Sequence, residues 1–297
     1  MKSFFTKLLS LALALALCVS LAGAAPGVTV QGDAVSFSDA LPFVDENDRT
    51  LVPLRAVADA LGLTVQWNGA QRTVTFTKDW TAETAPIRQD NDQDGIAESY
   101  PVHREVVFYI GSRQYEVRSD QWYGYDAKTG QMQQLVSGGW VMEMDTAAVI
   151  LDNRAYAPIR YLAACFYYDV LWENGQVHLI SYEPISYHCQ HSLADGQLTV
   201  TVQNTQGLSS AQITSIEIAK GDAALVEVPF LPLSRSALPT ELTPGLLAGA
   251  AVQDAFQAGE TYHVVVHFTA VKSNGAATDA SCRFSFQAQT LEAGSGG

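Results

Sequence analysis

Apolar positions in the front half of the chain follow two alternating rhythms. "TLV", residues 50–52, is a short apolar run, after which Leu54, Val57, Ala58 and Leu61 recur at i, i+3, i+4 and i+7. That spacing is the stripe of a helix with one buried face. Pro53 stands at the first helical turn, where a missing N–H is no loss, and Gly62 supplies a left-handed stop. "LTVQWNGAQRTVTF", residues 63–76, then switches to period two around Asn68-Gly69, which predicts two strands and a tight turn.

The pattern returns 105 residues later. Arg49 and Arg154, Pro53 and Pro158, Arg55 and Arg160, Ala58 and Ala163, Val65 and Val170, and Trp67 and Trp172 all keep that offset. Six identities in register within nineteen positions point to one structural unit written twice. The second copy carries its stripe on Ile159, Leu162, Ala163 and Phe166 and its hairpin in "DVLWENGQVHLI", residues 169–180. Tyr167 stands where the first copy has its glycine stop.

Beyond residue 183 only period two remains. "ISYHCQHSLA" and "QLTVTVQNTQ" flank Asp195-Gly196, and "ITSIEIA", "LVEVPFL", "TYHVVVHFTAV" and "SCRFSFQAQ" follow between turn-rich stretches. This spacing predicts a seven-strand-like sandwich of the immunoglobulin type over 183–290, with 291–297 as a tail. Tyr262, just after a turn and at a strand start, has the placement of a tyrosine corner. The expected fold class is therefore α+β: a duplicated strand–helix–hairpin domain over 27–182, then an all-β sandwich. Cys189 lies on the first strand of that sandwich and Cys282 on the last. With those strands expected side by side, the two are predicted to be bonded. Cys165, in the second helix, is expected to be a buried free thiol.

The chain opens "MKSFFTKLLSLALALALCVSLAGAA": a basic start, an apolar run too short for a membrane span, and a small-x-small cleavage pattern at Ala22-Gly23-Ala24. Residues 1–24 read as a secretory signal peptide. Its removal takes Lys2 and Lys7 away, so the formal charge of −14 becomes −14 − 2 = −16. So acidic a surface argues against nucleic acid and anionic membranes as partners and leaves cations as ligands.

Arg55 and Arg160 each follow a proline by two residues and sit beside the apolar stripe. A guanidinium there is expected to lie along apolar surface and bond carbonyls or a carboxylate of a neighbouring strand. Arg49, Pro53, Arg55, Trp67, Arg154, Pro158, Arg160 and Trp172 are accordingly read as structural, the tryptophans as core or hairpin packing. The paired Arg-x-x-x-Pro-x-Arg runs, the strand-then-Trp pattern and "FYIGS" at 108–112 resemble the copper amine oxidase-like N-terminal domain, or stalk domain, over about 27–182. The resemblance implies a small antiparallel sheet wrapped on helices, common on exported proteins of Gram-positive-type bacteria, holding neither the copper nor the quinone of the oxidase. The Asn-Tyr dipeptide of the quinone site does not occur. No copper, no catalytic cofactor and no oxidase activity are expected.

Against that family pattern the chain carries two insertions, 79–104 and 119–140, expected to be loops. The first contains "DNDQDGIAES", where Asp90, Asp92 and Asp94 alternate, Ile96 offers a carbonyl and Glu98 stands ninth. This is the first half of a calcium loop, but Pro101 occupies the place of the twelfth-position glutamate. A structural Ca²⁺ site and an acidic solvated turn both remain open. The second insertion offers Trp122, Tyr123 and Tyr125, either a ligand-stacking set for glycan or peptide or a surface loop pinned by its own aromatics. His188 and His191 flank Cys189, but strand residues three apart face opposite ways, which spoils a shared ion. No nucleophile elbow, phosphate loop, His-Glu-x-x-His or Cys-x-x-Cys occurs. The expectation is a non-catalytic exported scaffold or binding module, cell-surface or wall-associated, whose partner is a wall polymer, glycan or surface protein. The alternative is an extracellular hydrolase, or an accessory subunit of one, with 119–140 lining its cleft.

Overall fold

The computed structural model describes residues 25–89, 98–238, 240–253 and 256–288. The expected signal peptide, the tail 291–297 and most of the acidic loop lie outside the described residues.

Each copy contributes a strand, a helix and a hairpin. In the first these are β4 (Thr50–Pro53), α1 (Leu54–Ala60), β5 (Thr64–Asn68) and β6 (Thr73–Asp79). In the second they are β12 (Arg154–Pro158), α2 (Ile159–Cys165), β13 (Tyr168–Glu173) and β14 (Gln176–Ser181). The two helices keep the offset of 105 residue for residue. Both prolines close the strand and cap the helix, with φ −60° and −61°. Burial follows the stripe: Leu54, Val57, Ala58 and Leu61, and Ile159, Leu162, Ala163 and Phe166, are at most 4% exposed. Two seven-residue helices are nevertheless a small share, and the molecule is mostly antiparallel sheet rather than an even α+β mixture.

The copies meet about a local two-fold relation. β4 pairs antiparallel with β12, with Leu51 opposite Pro158, Val52 opposite Ala157 and Pro53 opposite Tyr156. Since 51 corresponds to 156 and 53 to 158, the same contact is made in both directions, as at a symmetric dimer interface. β3 (Phe43–Val44) and β11 (Val149–Leu151) flank this pair, giving the order β11-β12-β4-β3. Tyr167 takes the left-handed backbone of Gly62, with φ 62° against 65°. A tyrosine in that region costs on the order of 1–2 kcal/mol, and its buried ring is compensated by Arg104, stacked 4.4 Å above it.

The second insertion is not a loop but mostly strand, whereas of the first only Asp79 and residues 100–104 join strands, and the described stretches 80–89 and 98–99 are turns and irregular chain. The strands involved are β7 (Tyr100–Tyr109), the long β8 (Gln114–Asp126), β9 (Gln131–Ser137) and β10 (Trp140–Glu143), in a sheet of order β10-β8-β7-β6-β5 with β9 also on β8. Cross-strand pairing explains this: Arg104 on β7 makes a bidentate pair with Asp120 on β8 at 2.9 and 2.8 Å and donates to the Cys165 carbonyl of α2. A third sheet orders β13-β14 beside β1 (Gly27–Val30) and β2 (Asp33–Ala34). Phe76, Phe108, Leu54, Phe166, Leu162 and Leu179 fill one core between these sheets and both helices. Cys165 is a buried free thiol, its pKa pushed up to about 12 by burial.

The rear part has eight strands in two four-stranded antiparallel sheets, one more strand than the spacing predicted. β15 (Ser186–Ala194), β16 (Gln197–Gln206), β20 (Leu246–Gln253) and β19 (Leu231–Leu233) form one sheet in that order. β18 (Val226–Val228), β17 (Leu208–Lys220), β21 (Thr261–Lys272) and β22 (Ala277–Gln287) form the other. Leu198, Val200 and Val202 of the first sheet share a core with Ile216, Val264 and Val266 of the second. The bond between Cys189 and Cys282 is present, with Cα atoms 6.2 Å apart. Its geometry differs from expectation: β15 and β22 are not paired neighbours but edge strands of opposite sheets, so the bond joins the sheets. A bridge spanning 93 residues restrains the unfolded chain by about 4–5 kcal/mol in the entropic account. The Tyr262 hydroxyl accepts from the backbone N–H of Gln257 at 2.8 Å, pinning the turn before β21.

Lys272, at the end of β21, holds the two parts together. Its ammonium donates to Asp169 of β13 at 2.6 Å and to the Glu183 carbonyl at 3.0 Å, over the ring of Tyr182. Asn274 adds a bond to the other carboxylate oxygen of Asp169. Both charges are under 10% exposed, so removing either partner strands a buried charge at a cost of about 3–5 kcal/mol.

Candidate functional site

An open cleft of about 790 Å³ lies on the first copy. One wall is the exposed side of α1, with Arg55, Ala56 and Asp59, and the next is β5, with Val65 and Trp67. The loop after β2 brings Ser36, Ser38 and Asp39, and the turn from β11 to β12 brings Asn153 and Arg154. That turn has two central residues, Asp152 and Asn153, at φ 45° and 62°, the backbone of a tight hairpin that aspartate and asparagine tolerate. Buried Leu54 and Val74 close the floor.

Two rim residues, Trp67 and Arg55, are exposed. Trp67 is 48% exposed, and its counterpart Trp172 is 51% exposed. Both occupy edge strands, where no further strand flanks the side chain on its outer side. Arg55 is exposed and makes no hydrogen bond or ion pair among the described residues. The other three arginines are paired with carboxylates. Arg154 donates through Nε to Asp39 at 2.9 Å. Arg49 pairs with Asp145, and Arg160 approaches the same carboxylate at 3.8 Å. Asp39 precedes β3 by four residues and Asp145 precedes β11 by four, so each copy lends an arginine to the acid of the other. Burial pushes the Asp145 carboxyl up, but Arg49, Tyr161 and Arg160 outweigh it and hold it below the ordinary carboxylate range.

The corresponding place in the second copy is filled. Ala56 of α1 corresponds to Tyr161 of α2. The half-buried Tyr161 ring packs 5.9 Å from Tyr115, and its hydroxyl accepts the Asp145 backbone N–H at 2.9 Å. Alanine has no ring to offer, and the first copy keeps the space open.

The aromatic set at 122–125 is split by strand alternation. Trp122 turns inward, donating Nε1 to Asp120 at 3.1 Å and packing edge-on to Tyr167. Tyr123 faces outward, 39% exposed, beside Tyr100 and over a shallow depression of about 320 Å³ with His103, Gln121 and Gln134. Tyr125 is partly buried, its backbone N–H 3.4 Å from the Ser99 hydroxyl. Of the proposed calcium ligands, Asp90, Asp92, Asp94 and Ile96 lie outside the described residues; one carboxylate oxygen of Glu98 is buried with no hydrogen-bond partner. Among the described residues no group of three or more His, Cys, Asp or Glu side chains is placed to share a metal ion. His191 stacks on Phe284 at 4.4 Å, while Cys189 is consumed by its disulfide. No helix among the described residues is long and apolar enough to cross a membrane.

Sequence reasoning did not single out this cleft, because its walls come from residues 34–39, 53–74 and 150–155. The one available signal was Ala56 facing Tyr161 at the duplication offset. A family model described as Copper amine oxidase N-terminal domain matches residues 29–180, just over half of the chain. No curated protein and no solved structure matches the chain significantly.

Proposed function

We propose that this chain, which belongs to the copper amine oxidase N-terminal domain family, is a non-catalytic exported binding module, held at the cell surface or wall, whose cleft receives a segment of glycan or peptide. The observation that carries this reading is the cleft itself: a half-exposed indole and a guanidinium without an ion pair among the described residues, over an apolar floor. Exposed Trp and Arg are the residues most enriched where binding energy concentrates. Export is supported by the apolar, small-residue start of the chain and by the disulfide, a bond that persists in oxidising compartments. The rear part reads as an immunoglobulin-like presenter. Its strand orders, first-second-sixth-fifth and fourth-third-seventh-eighth, support that reading, and the buried Lys272–Asp169 contact would hold the cleft at a set orientation.

The hydrolase alternative placed substrate against the 119–140 hairpin, and the turning of Trp122 away from Tyr123 weighs against it. A structural calcium ion at Asp90, Asp92, Asp94, Ile96 and Glu98 remains a reading of the sequence alone. Co-sedimentation of the purified protein with cell-wall polymer tests the module. Retention that Trp67→Ala abolishes is expected, and no retention on any polymer, glycan or surface protein overturns the reading.

A further inference from the structure

The filled copy shows what the open one lacks. In the second copy the space beside the helix holds a hydroxylated six-membered ring, Tyr161, and a carboxylate, Asp145, 3.8 Å from Arg160. In the first copy Arg55 is the counterpart of Arg160, but the ring is missing and, although Asp39 and Asp59 also line the cleft, no carboxylate among the described residues forms an ion pair with Arg55. A ligand that restores both groups brings a hydroxylated ring to Trp67 and a carboxylate to Arg55. We infer that the cleft binds an acidic glycan, through a pyranose ring that bears a carboxylate.

The chemistry of the rim favours a sugar over a peptide. The exposed indole of Trp67 offers a flat apolar face to the C–H face of a pyranose. Ser36, Ser38 and Asn153 surround it with small hydroxyl and amide groups suited to ring hydroxyls. An acidic protein repels anions over most of its surface. A guanidinium with no ion pair among the described residues therefore marks the point where an anionic ligand is tolerated, and its fork matches a carboxylate in two hydrogen bonds. This inference rests on the binding-module reading and deepens it.

The test is titration of the full chain with a short oligogalacturonate, its methyl-esterified form, and an acidic tyrosine-containing peptide, followed by tryptophan fluorescence and calorimetry. The acid form is expected to bind at least about tenfold more tightly than the ester, which is the weight of one charge-assisted bond of about 1.4 kcal/mol. Arg55→Ala should erase that preference, and Trp67→Ala should remove binding of both sugars. Ala56→Tyr should fill the cleft as Tyr161 fills its twin, abolishing binding while leaving the melting temperature in place. Equal binding of acid and ester overturns the carboxylate inference while leaving a glycan module standing. Absence of sugar binding, preference for the peptide, or binding untouched by Ala56→Tyr overturns the acidic-glycan assignment. Polymer co-sedimentation, read separately, decides the broader function.

Discussion

The two copies of the strand–helix–hairpin unit share a backbone plan and differ in what they do with it. α1 and α2 bury corresponding stripes, end on a left-handed residue at the same offset and face each other through a symmetric strand pair. Yet the second copy closes its flank with Tyr161, two arginines on Asp145 and the packed side chain of Tyr167. The first leaves Ala56, Gly62 and an Arg55 with no ion pair among the described residues at the corresponding places. The core positions are shared because both copies bury the same face. Outward positions were free to diverge, and one copy became a brace while the other kept a cavity.

Four changes would break or sharpen this comparison. The largest effect is expected at the shared stripe: Leu162→Ala, at a fully buried position equivalent to Val57, should cost about 2–5 kcal/mol in chemical denaturation. A loss below about 1 kcal/mol would show that the second helix is not the packed element described. Tyr161→Ala should cost about 1–2 kcal/mol, from half a side chain of burial and one aromatic pair, and open a second cleft. If that variant gains no glycan affinity, Arg160 is too committed to Asp145 to serve a ligand.

Acid should act on the second copy through Asp145. Its folded pKa lies below the ordinary value of 3.8, so the ionised form stabilises the fold above that value, and the contribution is lost as pH falls through the lower folded pKa. Asp145→Asn should therefore flatten the stability profile at and below about pH 4, and an unchanged profile would assign the acid sensitivity elsewhere. The smallest effect is expected from Asp39→Asn. That exposed pair is worth on the order of 0.2–1 kcal/mol, so thermal melting should barely move. Freed Arg154 would add a second cation to the cleft and tighten binding of an acidic sugar; weaker binding would mean that Asp39 itself contacts the ligand.

The helix stripes and both hairpins were legible because each depends on local periodicity and steric rules; the pairing of Cys189 with Cys282 was also anticipated, though on a neighbouring-strand premise that the two sheets do not share. The second insertion is strand rather than the expected loop, as the alternation in "QYEVRSDQWYGYD" allows, while the first is loop over its described residues up to Ser99. Arg55 and Arg160 look identical in sequence, and only position relative to a distant carboxylate separates them. Trp67 and Trp172 have the hydrophobicity of core residues, but edge placement in a sheet is a property of strand order, which local sequence does not carry.

By itself the amino-acid sequence determined which helix positions turn inward, where the unit repeats and the family to which it belongs, since all of these follow from short-range chemistry read at fixed spacing. Only the tertiary structure decided that β15 and β22 sit in opposite sheets, that Lys272 reaches Asp169 across 103 residues, and that three separate segments enclose a cleft beside Ala56. Those outcomes depend on which surfaces the folded chain brings together, and a cavity is defined by the atoms that fail to meet there.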